Sequence, residues 1–242
     1  MPRPAPAPAD VLATMLRSDA TRPRITCYDD ATGERIELSA KTLANWVAKA
    51  ANLLQEQTDA SPGVTVGLAL PPHWRAFYWA LAAWSTGTTV VTGAGAAAAE
   101  IVVTDDPAQA RRVTEDGGYA VLVTLAALAR NHPQAPPDVV DEARELPSYA
   151  DQFAPWESPE PAGTALRTEA GDTAYDSVVA PRDWPARPRV RVSGGLAAVL
   201  TDALAAWAMD GSIVLIAPAD GAPVDQLSRL SAEHVSIDLA DG

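Results

Sequence analysis

Residues Glu37–Val91 read ELSAKTLANWVAKAANLLQEQTDASPGVTVGLALPPHWRAFYWALAAWSTGTTVV, and two hydrophobic patterns alternate within them. After Ser39, a residue typical of a helix N-cap, apolar residues recur at every third or fourth position, as they do in an amphipathic helix. The short apolar run Val64–Leu70 ends at two prolines, which predicts a strand buried on both faces. An aromatic-rich helical segment and the β-branched run Thr88–Val91 follow. The stretch therefore predicts helix, strand, helix and strand in that order.

The same alternation continues after Val91. The runs Ile101–Thr104 and Tyr119–Thr124 are predicted strands, and between them Asp106 and the following proline begin a predicted helix that ends at Glu115. Strands that alternate with helices favour a parallel sheet with helices on its faces. The predicted fold class is therefore α/β, with mostly parallel sheets flanked by helices.

The composition changes along the chain and suggests four parts. Ten of the 21 prolines lie between residues 133 and 188, where periodic apolar runs are scarce. We expect one compact domain of two lobes. The parts are a flexible Pro/Ala-rich start with a short helix (1–22), a first α/β unit (23–132), a proline-rich irregular connection (133–188) and a second α/β unit (189–242).

Further elements are predicted within these parts. The start (residues 1–10) should be disordered or extended, and Asp10 should cap the first helix. Other predicted helices are Val11–Arg17, Leu196–Met209 and Val224–Glu233. Other predicted strands are Arg24–Tyr28, Glu34–Leu38, Ala174–Ala180, Arg189–Val192, Ser212–Ile216 and Val235–Leu239.

The charge and the cysteine count limit the function. The formal charge of −13 disfavours nucleic acid and anionic membrane surfaces as partners, because both require a basic face. Cys27 is the only cysteine, so no intramolecular disulfide can form. No segment has the roughly 20 apolar residues of a membrane span. We therefore expect a cytoplasmic protein with neither a nucleic-acid nor a membrane partner.

Glu37–Val91 resembles the N-terminal subdomain of the adenylate-forming superfamily, which contains acyl-CoA synthetases, peptide-synthetase adenylation domains and luciferases. The matching stretches are Leu38–Leu54, Val64–Pro72, Phe77–Trp84 and Thr86–Val91. Residues 194–239 resemble a later segment of the same family, in which a helix precedes a strand and a further helix–strand pair follows. The resemblance implies an abridged N-terminal half of such an enzyme.

The resemblance also predicts where phosphate would bind. The family's phosphate loop is rich in Ser, Thr and Gly and is followed by a lysine. The stretch Ser85–Thr89 has this composition, but it lies at a helix-to-strand turn and no lysine follows it, so we interpret it as structural. The loop itself should fall between Pro161 and Val192, which offers Ala162–Thr164 and Ala170–Thr173. The acidic residues there, Glu169, Asp172 and Asp176, would repel a triphosphate.

Other family motifs find no match in the sequence. The aromatic-Gly-x-Thr-Glu motif, the ribose-binding aspartate and the catalytic lysine are missing, and the only lysines, Lys41 and Lys49, lie on the first helix of the family-like stretch. The sequence therefore predicts a non-catalytic relative that acts as a binding or regulatory protein. No catalytic, cofactor-binding or metal-binding residue is assigned, and no cofactor is expected. One alternative is an adenylate-forming activity completed by a partner chain, and another is an unrelated α/β interaction domain.

The remaining candidate residues have simpler structural explanations. Ser193-Gly194-Gly195 could receive an anion at a helix start, but we favour glycines that allow close strand-to-helix packing. We favour turn and cap roles for Asp105 and Asp106, and burial for Cys27. The scattered histidines, with no metal-ligand spacing, are His73, His132 and His234. The aromatic residues that we assign to the core rather than to a binding surface are Trp74, Phe77, Tyr78, Trp79 and Trp84.

The resemblance also bears on partners. In the full enzymes, further subdomains cover one side of these sheets. Here that side must be repacked, covered by residues 133–188 or buried against another chain. A homodimer or a protein partner is one prediction, and a nucleotide or an acyl group is the predicted kind of ligand.

Overall fold

The computed structural model describes residues 6–217 and 226–240. Its strands form two sheets, a five-stranded one in the order β12-β10-β11-β1-β2 and a seven-stranded one in the order β7-β6-β5-β3-β4-β8-β9. The strands are β1 Pro23–Asp29, β2 Glu34–Ser39, β3 Thr65–Ala69, β4 Thr89–Val91, β5 Ile101–Thr104, β6 Tyr119–Leu122, β7 Val140–Asp141, β8 Thr164–Thr168, β9 Gly171–Ala174, β10 Arg189–Val192, β11 Ser212–Ala217 and β12 Ile237–Asp238.

Helices flank both sheets, so the predicted fold class is confirmed. All neighbouring strands pair in parallel except β1 with β2 and β8 with β9. The α-helices are α1 Pro8–Asp19, α2 Ala40–Thr58, α3 Trp74–Ser85, α4 Pro107–Glu115, α5 Glu142–Glu145, α6 Leu196–Ala208 and α7 Gln226–Ala232. Short 3-10 segments span Gly93–Ala98 and Leu146–Ser148.

The helix that follows Ser39 begins and ends at residues suited to those positions. The Ser39 hydroxyl oxygen accepts a hydrogen bond from the Thr42 N–H at 3.1 Å, which is the predicted N-cap. Asp59 ends α2 in the left-handed conformation with φ 50°, and its N–H donates to the Leu54 carbonyl. The apolar stripe of α2 is fully buried at Leu43 and Leu53.

The two ends of the chain share one sheet. β1 pairs in parallel with β11, with Ile25 opposite Ile213, and in antiparallel with β2. The first sixty residues and the last sixty therefore contribute strands to the same five-stranded sheet. The four-part division of the chain stays a prediction.

The aromatic residues of α3 lie in the core. Trp74, Phe77, Tyr78, Trp79 and Trp84 are all at most 4% exposed. This burial agrees with the predicted core role. The indole N–H of Trp84 donates to the Ala165 carbonyl at 2.8 Å and so connects α3 to β8.

Part of the proline-rich connection lies along α2, and we call residues 146–156 the strap. Asn52 on α2 donates to the carbonyls of Ala150 and Gln152, at 3.0 and 2.9 Å. Gln55 accepts from the Trp156 N–H at 2.9 Å and donates to the Ala154 carbonyl. Part of residues 133–188 thus covers α2, and which of the three ways covers the side of the sheets stays a prediction.

Several predicted boundaries were wrong. Helix α1 begins at Pro8, so residues 8–10 are not extended. Asp10 is not the N-cap: it lies in the first turn, and its carboxylate accepts from the Ala7 N–H at 3.1 Å. Residues 175–180 form turns rather than the predicted strand Ala174–Ala180, because the antiparallel pair β8–β9 closes earlier. The predicted helix start at Val224 lies outside the described residues.

Within the described residues, no helix has both the length and the apolar composition needed to cross a bilayer.

Candidate functional site

The seven-stranded sheet has a topological switch point between β3 and β5. These strands are parallel neighbours, but the chain leaves β3 toward β4 on one side and leaves β5 toward β6 on the other. Connections that diverge in this way open a crevice at the carboxyl ends of the strands, where α/β proteins bind ligands. Residues 70–75 and 104–106 follow the two strands here and form the candidate site.

A buried ion pair lies beside this crevice. The Arg75 Nη1 donates to the Glu142 Oε1 at 2.9 Å, and the side chains are 4% and 1% exposed. The Tyr78 hydroxyl also donates to Glu142, and the Arg75 Nη2 donates to the Ala126 carbonyl at 3.0 Å. Burial raises the pKa of Glu142 to about 7, against the opposing effect of the Arg75 charge. The pair connects the segment after β7 to the first turn of α3.

His73 has a structural role at the same edge. It is the N-cap of α3, and its Nδ1 accepts from the Arg75 N–H at 3.3 Å. Burial and the nearby Arg75 charge lower the pKa of His73 to about 4. The imidazole is therefore neutral near pH 7, which lets its ring nitrogen act as an acceptor.

The adjacent aspartates differ from each other. Asp106 caps α4, as predicted, and its Oδ1 accepts from the Ala108 N–H at 2.8 Å. Asp105 is half-buried, and burial raises its pKa above the usual range. His132 is close enough to oppose that shift, and its backbone N–H donates to Asp141 at 2.9 Å. Of the two carboxylates that follow β5, that of Asp106 is therefore committed to the helix cap.

Within the predicted phosphate-loop region, residues 164–174 form a tight hairpin. β8 and β9 pair from Thr164 to Ala174, with Thr168 opposite Gly171, so only Glu169 and Ala170 form the turn. The Glu169 Oε1 accepts from the Ala94 N–H at 3.3 Å, at the start of the 3-10 segment after β4. A carboxylate of the chain itself therefore accepts from a backbone N–H group just after the carboxyl end of β4.

The other two acidic residues of this region, Asp172 and Asp176, lie in the hairpin and just after it. Asp172 forms a bidentate pair with Arg167, with nitrogen–oxygen distances of 3.0 Å for the closest contacts. Asp176 is exposed, and its N–H donates to the Pro161 carbonyl at 2.9 Å. The nearest arginine of the hairpin is thus already paired with a carboxylate.

Two further candidate loops prove to be turns. At Ser85–Thr89, the hydroxyls of Thr86 and Thr88 both donate to the Ala83 carbonyl, at 2.8 and 2.9 Å, as expected of a helix-to-strand turn. At Ser193–Gly195, Gly194 has φ +101°, a conformation that side chains disfavour. A Cβ on Gly195 would meet nothing, and its φ is −68°, so the predicted close packing is wrong and backbone conformation explains only Gly194.

The two lysines, Cys27 and His234 are the remaining candidate residues of the sequence. Lys49 donates to the carbonyls of Pro147 and Tyr149 on the strap, and Lys41 is exposed on α2. Cys27 is 4% exposed, and burial raises the pKa of its thiol to about 11. His234 lies exposed just after α7. In residues 6–217 and 226–240, no three His, Cys, Asp or Glu side chains are grouped so as to hold a metal ion.

Sequence reasoning missed the ion pair. Arg75 and Glu142 are 67 positions apart, and Glu142 lies in the proline-rich connection that we expected to be irregular. One signal was present: a lone arginine within the most apolar helix of the family-like stretch needs a buried carboxylate partner. Nothing in the sequence indicated which carboxylate that would be.

The comparisons with known proteins identify the family. No family model matches the chain. It is 34% identical over 241 residues to a TIGR03089 family protein of Mycobacterium tuberculosis (strain ATCC 25618 / H37Rv), across 93% of this chain and 95% of that protein.

Solved structures match the fold at low identity. The acetoacetyl-CoA synthetase of Streptomyces lividans superposes with a TM-score of 0.77 at 14% identity, over 96% of this chain and 42% of that one. An acyl-CoA synthetase of Brucella canis gives 0.73 at 13% identity, over 98% and 48%. The N-terminal domain of FACL13 of Mycobacterium tuberculosis gives 0.68 at 15% identity, over 96% and 62%. The chain thus spans less than two thirds of each, and the fold is that of the N-terminal region of adenylate-forming enzymes.

Proposed function

The chain belongs to the TIGR03089 family, and we propose that it is a non-catalytic relative of the acyl-CoA synthetases and adenylation domains that acts as a binding or regulatory protein. The observation that carries the proposal is the contact of Glu169 with the Ala94 N–H in the two-residue turn of the β8–β9 hairpin. The family resemblance expects phosphate contacts in this region of the chain, and here a carboxylate takes the backbone donor.

The electrostatics of the hairpin support the same proposal. A triphosphate brought to this turn would meet the Glu169 carboxylate and, three residues further on, the Asp172 carboxylate, which is paired with Arg167. Like charges at a few ångströms repel, and the formal charge of −13 adds to that repulsion. A loop of two residues also has few backbone N–H groups with which to surround a phosphate.

A second candidate is adenylate-forming activity completed by a partner chain. The observation that favours it is coverage: the chain matches 42% and 48% of two synthetases with TM-scores of 0.77 and 0.73. A separate chain could supply the lysine and the nucleotide contacts. The third alternative, an unrelated α/β domain, loses its basis because the fold is the one that the resemblance predicted.

A thermal-shift series on the purified chain tests the proposal. The panel contains ATP with Mg²⁺, AMP, CoA, fatty acids and an acyl-sulfamoyl adenosine, and binding to the native state would raise the melting temperature. We expect no shift with ATP, AMP or the adenylate mimic, and no acid-dependent exchange of pyrophosphate into ATP. A shift with the mimic, or measurable exchange, would overturn the proposal and favour the second candidate.

Variants at the turn sharpen this test. Glu169→Gln removes the carboxylate charge, and Glu157→Gln, at an exposed site outside the hairpin, is the matched control. We expect ATP to leave the melting temperatures of the wild type and of the control unchanged. A shift seen with Glu169→Gln alone would support the role of the acid in excluding phosphate.

A further inference from the structure

A cavity of about 310 Å³ lies between α1, α2 and the strap. Apolar side chains form most of its walls, among them Leu12 on α1, Val47 on α2 and Phe153 on the strap. Small residues such as Ala13 leave the space between the helices open. The volume and the apolar lining are those of small-molecule sites in proteins.

The strap, which forms one wall of this cavity, is attached to α2 mainly through polar contacts. Lys49, Asn52 and Gln55 lie three positions apart on α2 and bind main-chain groups of the strap. Phe153 is only partly buried against the core. Leu146 and Tyr149 of the strap also pack in or against the core, so hydrogen bonds and apolar contacts together hold this wall in place.

The polar groups of the lining indicate the ligand's charge. Asp151 is the carboxylate at the exposed rim, and the described lining contains no lysine or arginine. The Ser85 hydroxyl donates to the Leu81 carbonyl at 2.7 Å, which leaves its oxygen free to accept. Both groups favour a ligand that donates hydrogen bonds, and the charge of −13 disfavours an anion.

We propose that this cavity binds a small alkyl compound that carries a cationic amine, with the alkyl chain against Leu12, Val47 and Phe153 and the amine at Asp151. The strap is the outer wall of the site. This site is separate from the carboxyl edge of the seven-stranded sheet, and its occupancy does not depend on whether the chain can form adenylates.

Isothermal titration of the full chain with three probes of equal chain length tests the proposal. Octylamine, octanol and octanoate each contain a linear chain of eight carbons and carry an amine, a hydroxyl and a carboxylate at its end. We expect octylamine to bind most tightly, octanol less tightly and octanoate most weakly. Equal or tighter binding of octanol or octanoate would overturn the assignment of an amine ligand.

Two variants locate the binding. Ala13→Leu fills the cavity with a good helix former and should weaken octylamine binding by about tenfold or more. Ala108→Leu on α4, an exposed alanine elsewhere, is the matched control and should bind like the wild type. Unchanged binding in Ala13→Leu, with a normal melting temperature, would show that octylamine binds elsewhere and would overturn the proposal.

A charge variant tests the end group. Asp151→Asn lies at an exposed position and should leave the fold intact. It should weaken octylamine binding by about twofold to fivefold, the range of an exposed ion pair, and leave octanol binding unchanged. No change in octylamine binding would contradict the placement of the amine at Asp151.

Discussion

The Arg75 guanidinium lies 2.9 Å from the Glu142 carboxylate, and both side chains are almost fully buried. This pair joins the first turn of α3 to the segment that leaves β7 and leads into the strap. It therefore anchors this part of the proline-rich connection to α3.

Removal of one member of this pair should be strongly destabilising. We expect Glu142→Ala to lower the free energy of unfolding by about 3–5 kcal/mol, because an uncompensated charge stays buried. Urea unfolding monitored by circular dichroism measures this change in the free energy of unfolding. Arg144→Ala, which breaks the exposed pair with Glu145, is the control and should have no measurable effect. A loss as small as the control's would mean that Arg75 finds water or another partner.

Stability should also depend on pH through Glu142. Its folded pKa of about 7 lies above the usual value of 4.5, so between these pH values the folded state holds the proton more firmly. The resulting stability is fully present below pH 4.5 and is lost as the pH rises through 7. Glu142→Gln should remove this decline when unfolding free energies are compared between pH 5 and 8. An unchanged pH slope would show that Glu142 is ionised throughout.

The titration of His73 should change stability with pH in the direction opposite to that of Glu142. Its folded pKa of about 4 lies below the usual value of 6.5, so the unfolded chain binds more protons between these pH values, and stability rises with pH over that window. His73→Asn keeps an N-cap acceptor and removes the titration. Relative to the wild type, the variant should lose stability less steeply on acidification from pH 6.5 to 4. A parallel curve for the two proteins would rule out this role of His73.

The attachment of the strap to α2 should depend on Asn52. Asn52→Ala removes two hydrogen bonds to strap carbonyls and leaves those carbonyls without their donor, so we expect a loss of about 1–2 kcal/mol. Cleavage by a protease within residues 146–156 should become faster as well. Gln57→Ala, which removes only an exposed contact with the Tyr149 hydroxyl, is the control. Equal cleavage rates would mean that the strap is held by its apolar contacts.

The candidate site was only partly predictable. Asp106 as the cap of α4 and Ser85–Thr89 as a turn were found from local chemistry, because a cap or a turn involves residues only a few positions apart. The Arg75–Glu142 pair and the contact of Glu169 with Ala94 span 67 and 75 positions. Such pairs depend on which strands become neighbours, and local patterns do not encode that order.

The sequence by itself determined the helices and strands of Glu37–Val91 and the α/β class, because the hydrophobic period is set by the geometry of each element. Only the tertiary structure decided that β1 and β2 join the C-terminal strands in one sheet, and that the strap lies along α2. The strap has no hydrophobic period of its own. Its position comes from side chains of α2 that bind its carbonyls, and backbone carbonyls are the same in every sequence.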